Sequence, residues 1–541
     1  MGELMSGGEK TAIAVTRREV LAGTTALALT GITTAAHAQT SQPMAPVTAK
    51  GAVFEDADRS AKRGPSSRGI PDVMVSNGRD VVKTGADGSW SLLPEGTPQS
   101  LGLRFAGIAP TGSLPDSIDF PLRKQDEPTA FNVVLFTDTQ PESLAEVGYI
   151  RDDVVAQTAG VAAAFGITHG DVMFDDLSFY ARYNNIVGTI GLPWYNCCGN
   201  HDMNLEAPDN THSRDTFQRT FGARYHAFQY GGTTFFILDN VEYLGTDPSK
   251  PNGFGKYRGR FGADQLTFVR NVLANVPRDS LVVVSHHIPL KTNQGTDPAI
   301  ANIDNRDFLA AISTHTHTVS FSGHTHTNEH WYLGADDGYT AGGTHHHHVL
   351  AAVSGSWWSG PFDERGIPIA LESDGSPNGF HILSVDGNRY TTTLVPARDP
   401  SKSQMRIVLD SQLHRADPEV LKDFHTGTLL TGPIARSATG STRVVVNLFD
   451  GGPKSKVSMA LGQDNKPMEM KRVIRRDPFV DEVYARNMDT KKPWVNSDPS
   501  THIWQATLPA NLPEGAYRVT VTATDEFGRS HADWMVLEVT G

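Results

Sequence analysis

The 541-residue chain has only two cysteines, and they are neighbours, Cys197 and Cys198. That count excludes a disulfide framework. It leaves either two small apolar residues at a strand end or a strained vicinal bridge. Basic residues are also scarce: 47 Lys and Arg stand against 60 Asp and Glu, a net charge of −13. A nucleic-acid-binding surface is disfavoured by such a balance. Outside one N-terminal stretch, no apolar run approaches the ~20 residues that a spanning helix needs. With 38% hydrophobic and 20% charged residues, the composition is that of a globular protein. The length predicts two to four domains.

The N-terminus has the order of an export signal. Thr16-Arg17-Arg18-Glu19 opens it, an apolar stretch runs from Val20 to Ile32, and Ala36-His37-Ala38 closes it. Paired arginines there indicate the twin-arginine route. The expectation is a leader over 1–38, a periplasmic or secreted product, and no transmembrane anchor. The leader carries as many acidic as basic residues, so its removal leaves the charge at −13.

Composition shifts divide the remainder. A polar, proline-bearing linker covers 39–50. Short strands with turn signals, such as Asp87-Gly88 before Ser89-Trp90-Ser91-Leu92, predict an N-terminal β-sandwich module over 51–128. From 129 to 400, apolar strand-like runs alternate with helical stretches, the layout of a layered α/β domain. Strands are predicted at 131–136, 234–238, 281–285, 318–322 and 349–353, and helices at 142–165, 263–273 and 304–312. Residues 401–541 return to alternating strands, notably 442–449 and 517–523, and predict a C-terminal β domain.

Five short motifs run through the α/β segment: Asp138-Thr139-Gln140, Gly170-Asp171, Gly199-Asn200-His201-Asp202, His287-Ile288-Pro289 and Gly323-His324-Thr325-His326. Each places carboxylate, amide or imidazole donors directly after a strand-like run. Singly, each is an ordinary turn. Jointly they supply enough ligands for two adjacent divalent metals, an arrangement that activates water and clamps a phosphoryl group.

The ordered set resembles the calcineurin-like metallophosphoesterase family, with its Asp-x-His, Gly-Asp, Gly-Asn-His-[Asp/Glu], lone His and Gly-His-x-His motifs. The whole chain also resembles a three-part bacterial branch with an N-terminal β module and a C-terminal β domain, through Gly355-Ser356-Trp357-Trp358, Asp374-Gly375-Ser376-Pro377-Asn378-Gly379 and Pro499-Ser500-Thr501-His502-Ile503-Trp504. The resemblance implies a four-layer α/β/β/α sandwich flanked by all-β domains. It implies one metal on Asp138, Gln140, Asp171 and His326, and a second on Asp171, Asn200, His287 and His324, with Asp171 bridging. His201 would contact the phosphate and leaving group, oriented by Asp175 or Asp202. The attacking group would be a metal-bound hydroxide. Gln140 departs from the usual histidine. An amide oxygen there shifts the expected pair of divalent ions toward manganese, with iron, zinc or magnesium as alternatives.

Two ambiguities accompany the motifs. His286 competes with His287, but only His287 has the His-x-Pro spacing. His315 and His317 repeat the His-x-His pattern, but they follow a helix and are expected in a solvated loop. The internal run His345–His348 is read either as a polar strand edge or as a substrate-lining wall with Trp357 and Trp358, two histidines facing each way.

The function implied is hydrolysis of phosphomono- or diesters of a small-molecule or lipid-like alcohol, with no nucleic-acid partner. A nuclease of the same superfamily and a non-catalytic glycan- or surface-binding protein are the competing readings.

Overall fold

Alternation in the first apolar run of the α/β segment decides its surroundings. In the strand Ala130–Phe136, Val133 and Leu135 point to one side and Val134 and Phe136 to the other, and all four are buried. A strand apolar on both faces needs a cover on each. The computed structural model describes residues 49–92, 116–247, 249, 255–398, 404–412, 432–462 and 466–541. In it, this strand lies third in a five-stranded sheet of order 389–396, 379–386, 130–136, 165–169, 194–197. The last three run parallel, and the 379–386 strand joins antiparallel. A six-stranded sheet has the order 329–333, 345–349, 318–322, 282–285, 233–237, 226–230, parallel through its middle and antiparallel at both edges.

Val133, Leu135, Phe165 and Ile167 of the first sheet meet Phe235, Ile237, Val283 and Phe321 of the second in one core. Ile150, Val154, Tyr180 and Tyr183 cover the first sheet's outer face. Leu266, Val269, Phe308 and Ile312, from the helices Ala263–Leu273 and Asn305–Ile312, cover the second. The four layers are therefore α/β/β/α. Among the described residues, no helix is long and apolar enough to cross a membrane.

Three local expectations are corrected. The helical segment expected over 142–165 runs from Leu144 to Thr158, with a π turn at Ile150–Val155. Gly160 then turns the chain at φ 82°, and Phe165 opens the next strand. The strand expected at 349–353 is His345–Val349, and residues 350–353 lead out of it. His315 is buried rather than solvated, while His317 is half-buried.

The leader over 1–38 lies outside the described residues, as do 39–48 of the linker. Ala49 and Lys50 already belong to the first strand, Ala49–Glu55. That strand sits between Ser89–Leu92 and Phe120–Leu122. Val75, from the two-stranded pair 74–76 and 81–83, joins Val53, Trp90 and Leu92 in a small core.

Toward the C-terminus, a four-stranded sheet (405–409, 443–448, 499–507, 471–476) faces a five-stranded one (434–435, 530–540, 515–524, 456–461, 468–469). Val444, Val446 and Trp504 pack against Val457, Val519, Val521 and Leu537. The sandwich is joined to the α/β layers by buried polar contacts. Asp374 accepts from the Asn328 backbone N–H at 2.6 Å and lies 2.9 Å from His502 Nε2. Asn447 donates to the Asp374 carbonyl at 3.1 Å and pairs with His502 Nδ1 at 2.8 Å. Arg406 reaches the Gly375 carbonyl at 2.8 Å.

Candidate metal centre

All five motifs sit at the same end of the two sheets, each in the loop after a parallel strand: 130–136, 165–169 and 194–197 in one sheet, 282–285 and 318–322 in the other. Asp138, Gln140, Asp171, His324 and His326 all have positive φ, between 33° and 75°. Non-glycine residues rarely adopt that conformation, and it is held only where surroundings enforce it. Two glycines enforce it here by permitting close approach. A Cβ on Gly199 would lie 2.1 Å from Asp171 Oδ1, and one on Gly323 would lie 2.0 Å from Asp138 Oδ2.

Asp171, His287 and His324 bring one ligand atom each within 4.8 Å of one another. His287 Nε2 is 3.2 Å from Asp171 Oδ2, 3.0 Å from Asn200 Oδ1 and 3.1 Å from His324 Nδ1. The other nitrogens are tied back. His287 Nδ1 bonds the His169 carbonyl at 2.8 Å, and His324 Nε2 bonds the Ala299 carbonyl at 2.8 Å. On the other side, His326 Nε2 is 3.7 Å from Asp138 Oδ1. Its Nδ1 bonds the Gly355 carbonyl, and its ring stacks on Trp357 at 3.8 Å. Gln140 spans the two halves by donating Nε2–H to Asp171 Oδ2 at 2.8 Å. Backbone carbonyls of this kind fix the tautomer of a ligating imidazole.

Three buried atoms in this constellation have no hydrogen-bond partner: Asp138 Oδ1, Gln140 Oε1 and His326 Nε2. Buried polar atoms are rarely left so. All three are lone-pair donors on residues that the sequence assigns to one metal, so the donor set fits divalent ions.

The charges agree. Burial pushes Asp138 up to about 7, against the pull of His287. Burial also opposes ionisation of Asp171, but His287 and His201 outweigh it and hold the carboxyl well below the usual range. His287 is correspondingly raised to about 9 by Asp171, despite burial. Burial lowers His324 to about 3 and His326 to about 4, so both imidazoles are neutral, the form that binds metal.

His201 lies at the rim. Its backbone N–H donates to Asp171 Oδ1 at 2.9 Å, and Nδ1 lies 2.7 Å from Asp175 Oδ1. Asp202 does something else. It accepts from the backbone N–H groups of Val172, Met173 and Gly199 at 2.9–3.1 Å and from the Tyr180 hydroxyl, locking two motif loops together. His286 points away, stacked on His347 at 5.4 Å.

Sequence reasoning missed Asn240. Its Oδ1 accepts from the backbone N–H groups of both His287 and Ile288, at 3.1 and 3.0 Å. The run His345–His348 neither forms a sheet edge nor lines the centre. Its strand is internal, and all four rings are buried among hydroxyls, His286, His330 and Tyr390. Trp358 is buried too, donating to the Thr139 carbonyl at 3.1 Å. Cys197 and Cys198 are free thiols, buried in different cores.

Residues 347–531 match the family model described as the C terminal of calcineurin-like phosphoesterase. The matched stretch takes in the last strands of the α/β layers and most of the C-terminal sandwich. Among solved structures it is similar to a purple acid phosphatase from yellow lupin (Lupinus luteus) seeds, at 13% identity and a TM-score of 0.36, over 51% of this chain and 53% of that one. The likeness thus spans about half the length of that relative. No curated protein matches the chain in sequence.

Proposed function

We propose that the chain is an exported phosphoesterase whose centre holds two divalent ions and hydrolyses phosphomono- or diesters of a small or lipid-like alcohol. The observation that carries this reading is the orphaned trio of Asp138 Oδ1, Gln140 Oε1 and His326 Nε2 beside the Asp171–His287–His324 cluster. Asp138, Gln140, Asp171 and His326 would hold one ion, and Asp171, Asn200, His287 and His324 the other. Ions bound there would supply a Lewis-acid clamp for phosphoryl oxygens and a more acidic water. Gln140, as a neutral oxygen donor, favours manganese over a purely zinc pair.

The remaining chemistry belongs to the chain. His201, whose Nδ1 lies 2.7 Å from Asp175 Oδ1, would give a proton to the leaving oxygen or stabilise charge there. Phe174 lies flat against His201 at 4.6 Å, and Trp494 stacks on Phe174 at 6.0 Å. Trp494 is 46% exposed, so an apolar wall lies beside the leaving-group position. Lys492, from the same C-terminal loop, is 2.9 Å from Glu142 and 3.0 Å from Glu146 and anchors that wall to the catalytic layers. The acidic net charge disfavours the nuclease reading.

The test is a metal-analysed preparation assayed on paired nitrophenyl mono- and diesters. Activity restored to a chelated sample by manganese is expected. A metal-free sample hydrolysing as fast as the loaded one would overturn the reading.

A further inference from the structure

Away from the candidate centre, three imidazoles converge on one carboxylate oxygen. Asp450 Oδ1 lies 3.0 Å from His330 Nε2, 3.2 Å from His348 Nε2 and 3.5 Å from His381 Nε2. The three histidines are fully buried and Asp450 nearly so. They come from three different parts of the molecule. His330 and His348 are on neighbouring strands of the six-stranded sheet, and His381 is on the five-stranded one. Asp450 follows the strand Arg443–Leu448 of the C-terminal sandwich.

Neighbouring hydrogen bonds account for only part of this cluster. His330 Nδ1 meets His346 Nε2 at 2.9 Å, and His346 Nδ1 meets the Tyr390 hydroxyl at 2.7 Å, a relay that fixes the His330 ring. His348 Nε2 also lies 2.9 Å from Asn328 Oδ1, and Asn328 Nδ2 is 3.2 Å from Asp450 Oδ1. Yet both ring nitrogens of His381 and the second oxygen of Asp450 have no hydrogen-bond partner. Buried groups of that polarity call for an explanation.

We propose that His330, His348, His381 and Asp450 form a third metal site, a closed four-ligand site of the zinc class, that fastens the C-terminal sandwich to both sheets of the catalytic layers. Three imidazoles and one carboxylate suit zinc. In a tetrahedron with bonds of about 2.0–2.1 Å, ligand atoms stand about 3.3 Å apart. The three distances from Asp450 Oδ1 bracket that edge length. His330, His348 and Asp450 are already within 4.8 Å of one another atom by atom; His381, 3.5 Å from Asp450 Oδ1 but outside that group of three, would close in to supply the fourth donor. No position is left open to substrate, so the ion is structural. It does not depend on the proposed activity, because none of its ligands belongs to the other centre.

The test uses the full chain with the first centre disabled by Asp171→Asn and His324→Ala. After loading with zinc and desalting, this chain should retain one ion by mass spectrometric metal analysis, and adding His348→Gln or Asp450→Asn should remove it. Zinc should also raise the midpoint of heat unfolding in the first variant but not in the second. With cobalt in place of zinc, intense visible bands of a tetrahedral site are expected. Failure of the first-centre reading would leave all these results unchanged. A disabled chain that retains no zinc and shows no cobalt bands overturns the proposal and leaves a proton shared between His330 and Asp450. So does zinc retention unaffected by both added substitutions. Should those variants fail to fold, the cobalt spectrum of the disabled chain decides alone.

Discussion

His201 Nδ1 lies 2.7 Å from Asp175 Oδ1. That contact fixes the ring against Phe174 and makes Nε2 the nitrogen that would meet the leaving oxygen. Asp175→Asn is expected to lower kcat by about 10–100-fold with metal content unchanged. His201→Ala is expected to cost about 10²–10⁴-fold in kcat. Parallel measurements of turnover and bound metal check both. Loss of metal in either variant would contradict the assigned roles.

Asp171 Oδ2 lies 2.8 Å from Gln140 Nε2 and 3.2 Å from His287 Nε2, where it would be shared by both proposed ions. Asp171→Asn should lose metal as well as at least about 10³-fold in activity. Metal content separates it from His201→Ala. Two variants alike in metal content and rate would sink the distinction.

Gly323 stands where a Cβ would meet Thr137 Oγ1 at 1.8 Å and Asp138 Oδ2 at 2.0 Å. Gly323→Ala should therefore displace Asp138. The expected result is a folded chain, by circular dichroism, with weakened metal binding and activity down by more than about 10²-fold. Wild-type activity would mean that Asp138 does not need its present place.

Trp494 extends the aromatic surface beside His201. Trp494→Ala should raise KM for esters of bulky apolar alcohols several-fold and leave small esters nearly unaffected. Equal changes across a series of alcohols would show that the wall does not touch the leaving group.

Much of the centre was legible because each donor lies in a short motif after an apolar strand. Strand alternation also fixed which way the His345–His348 rings divide. It could not show what covers them. His345 and His347 bond Thr318, Ser320 and the Leu290 N–H, while His346 and His348 face Tyr390 and Asp450. Those partners are remote in sequence. Asn240 escaped for the same reason: an asparagine 47 residues before His287 carries no local signal. The helix expected to reach 165 stopped early because Gly160 needs a left-handed turn.

Asp525 closes a tight turn in the C-terminal sandwich. It accepts from the backbone N–H groups of Phe527 and Arg529 at 2.9 Å, from Arg529 Nε at 2.7 Å and lies 2.9 Å from His531 Nε2. Burial would raise its pKa, but His531, the Arg529 backbone N–H and the Arg529 side chain outweigh it and bring it from 3.8 down to about 2. A depressed carboxyl stabilises the fold above its unfolded pKa and ceases to as the pH falls through the folded one. Asp525→Asn should therefore cost on the order of 1 kcal/mol at neutral pH, after allowing for solvent screening. The gap to the wild type should narrow as pH falls from about 4 to about 2. Urea titrations at several pH values measure it, and a gap independent of pH would refute the linkage.

The buried polar seam between the layers and the C-terminal sandwich bears on how such a chain can be cut. Asp374, His502 and Asn447 satisfy one another across it, and Arg406 satisfies the Gly375 carbonyl. A gene ended near residue 400 would strip Asp374 of His502 and leave Asn328 and the His330–His348 cluster without Asp450. The family match respects this: it begins at residue 347, inside a strand of the six-stranded sheet, and ends at 531 in the sandwich. The sandwich and the last strands of the α/β layers therefore form one polar-bonded unit, and a cut between them near residue 400 would expose groups that each side now satisfies for the other.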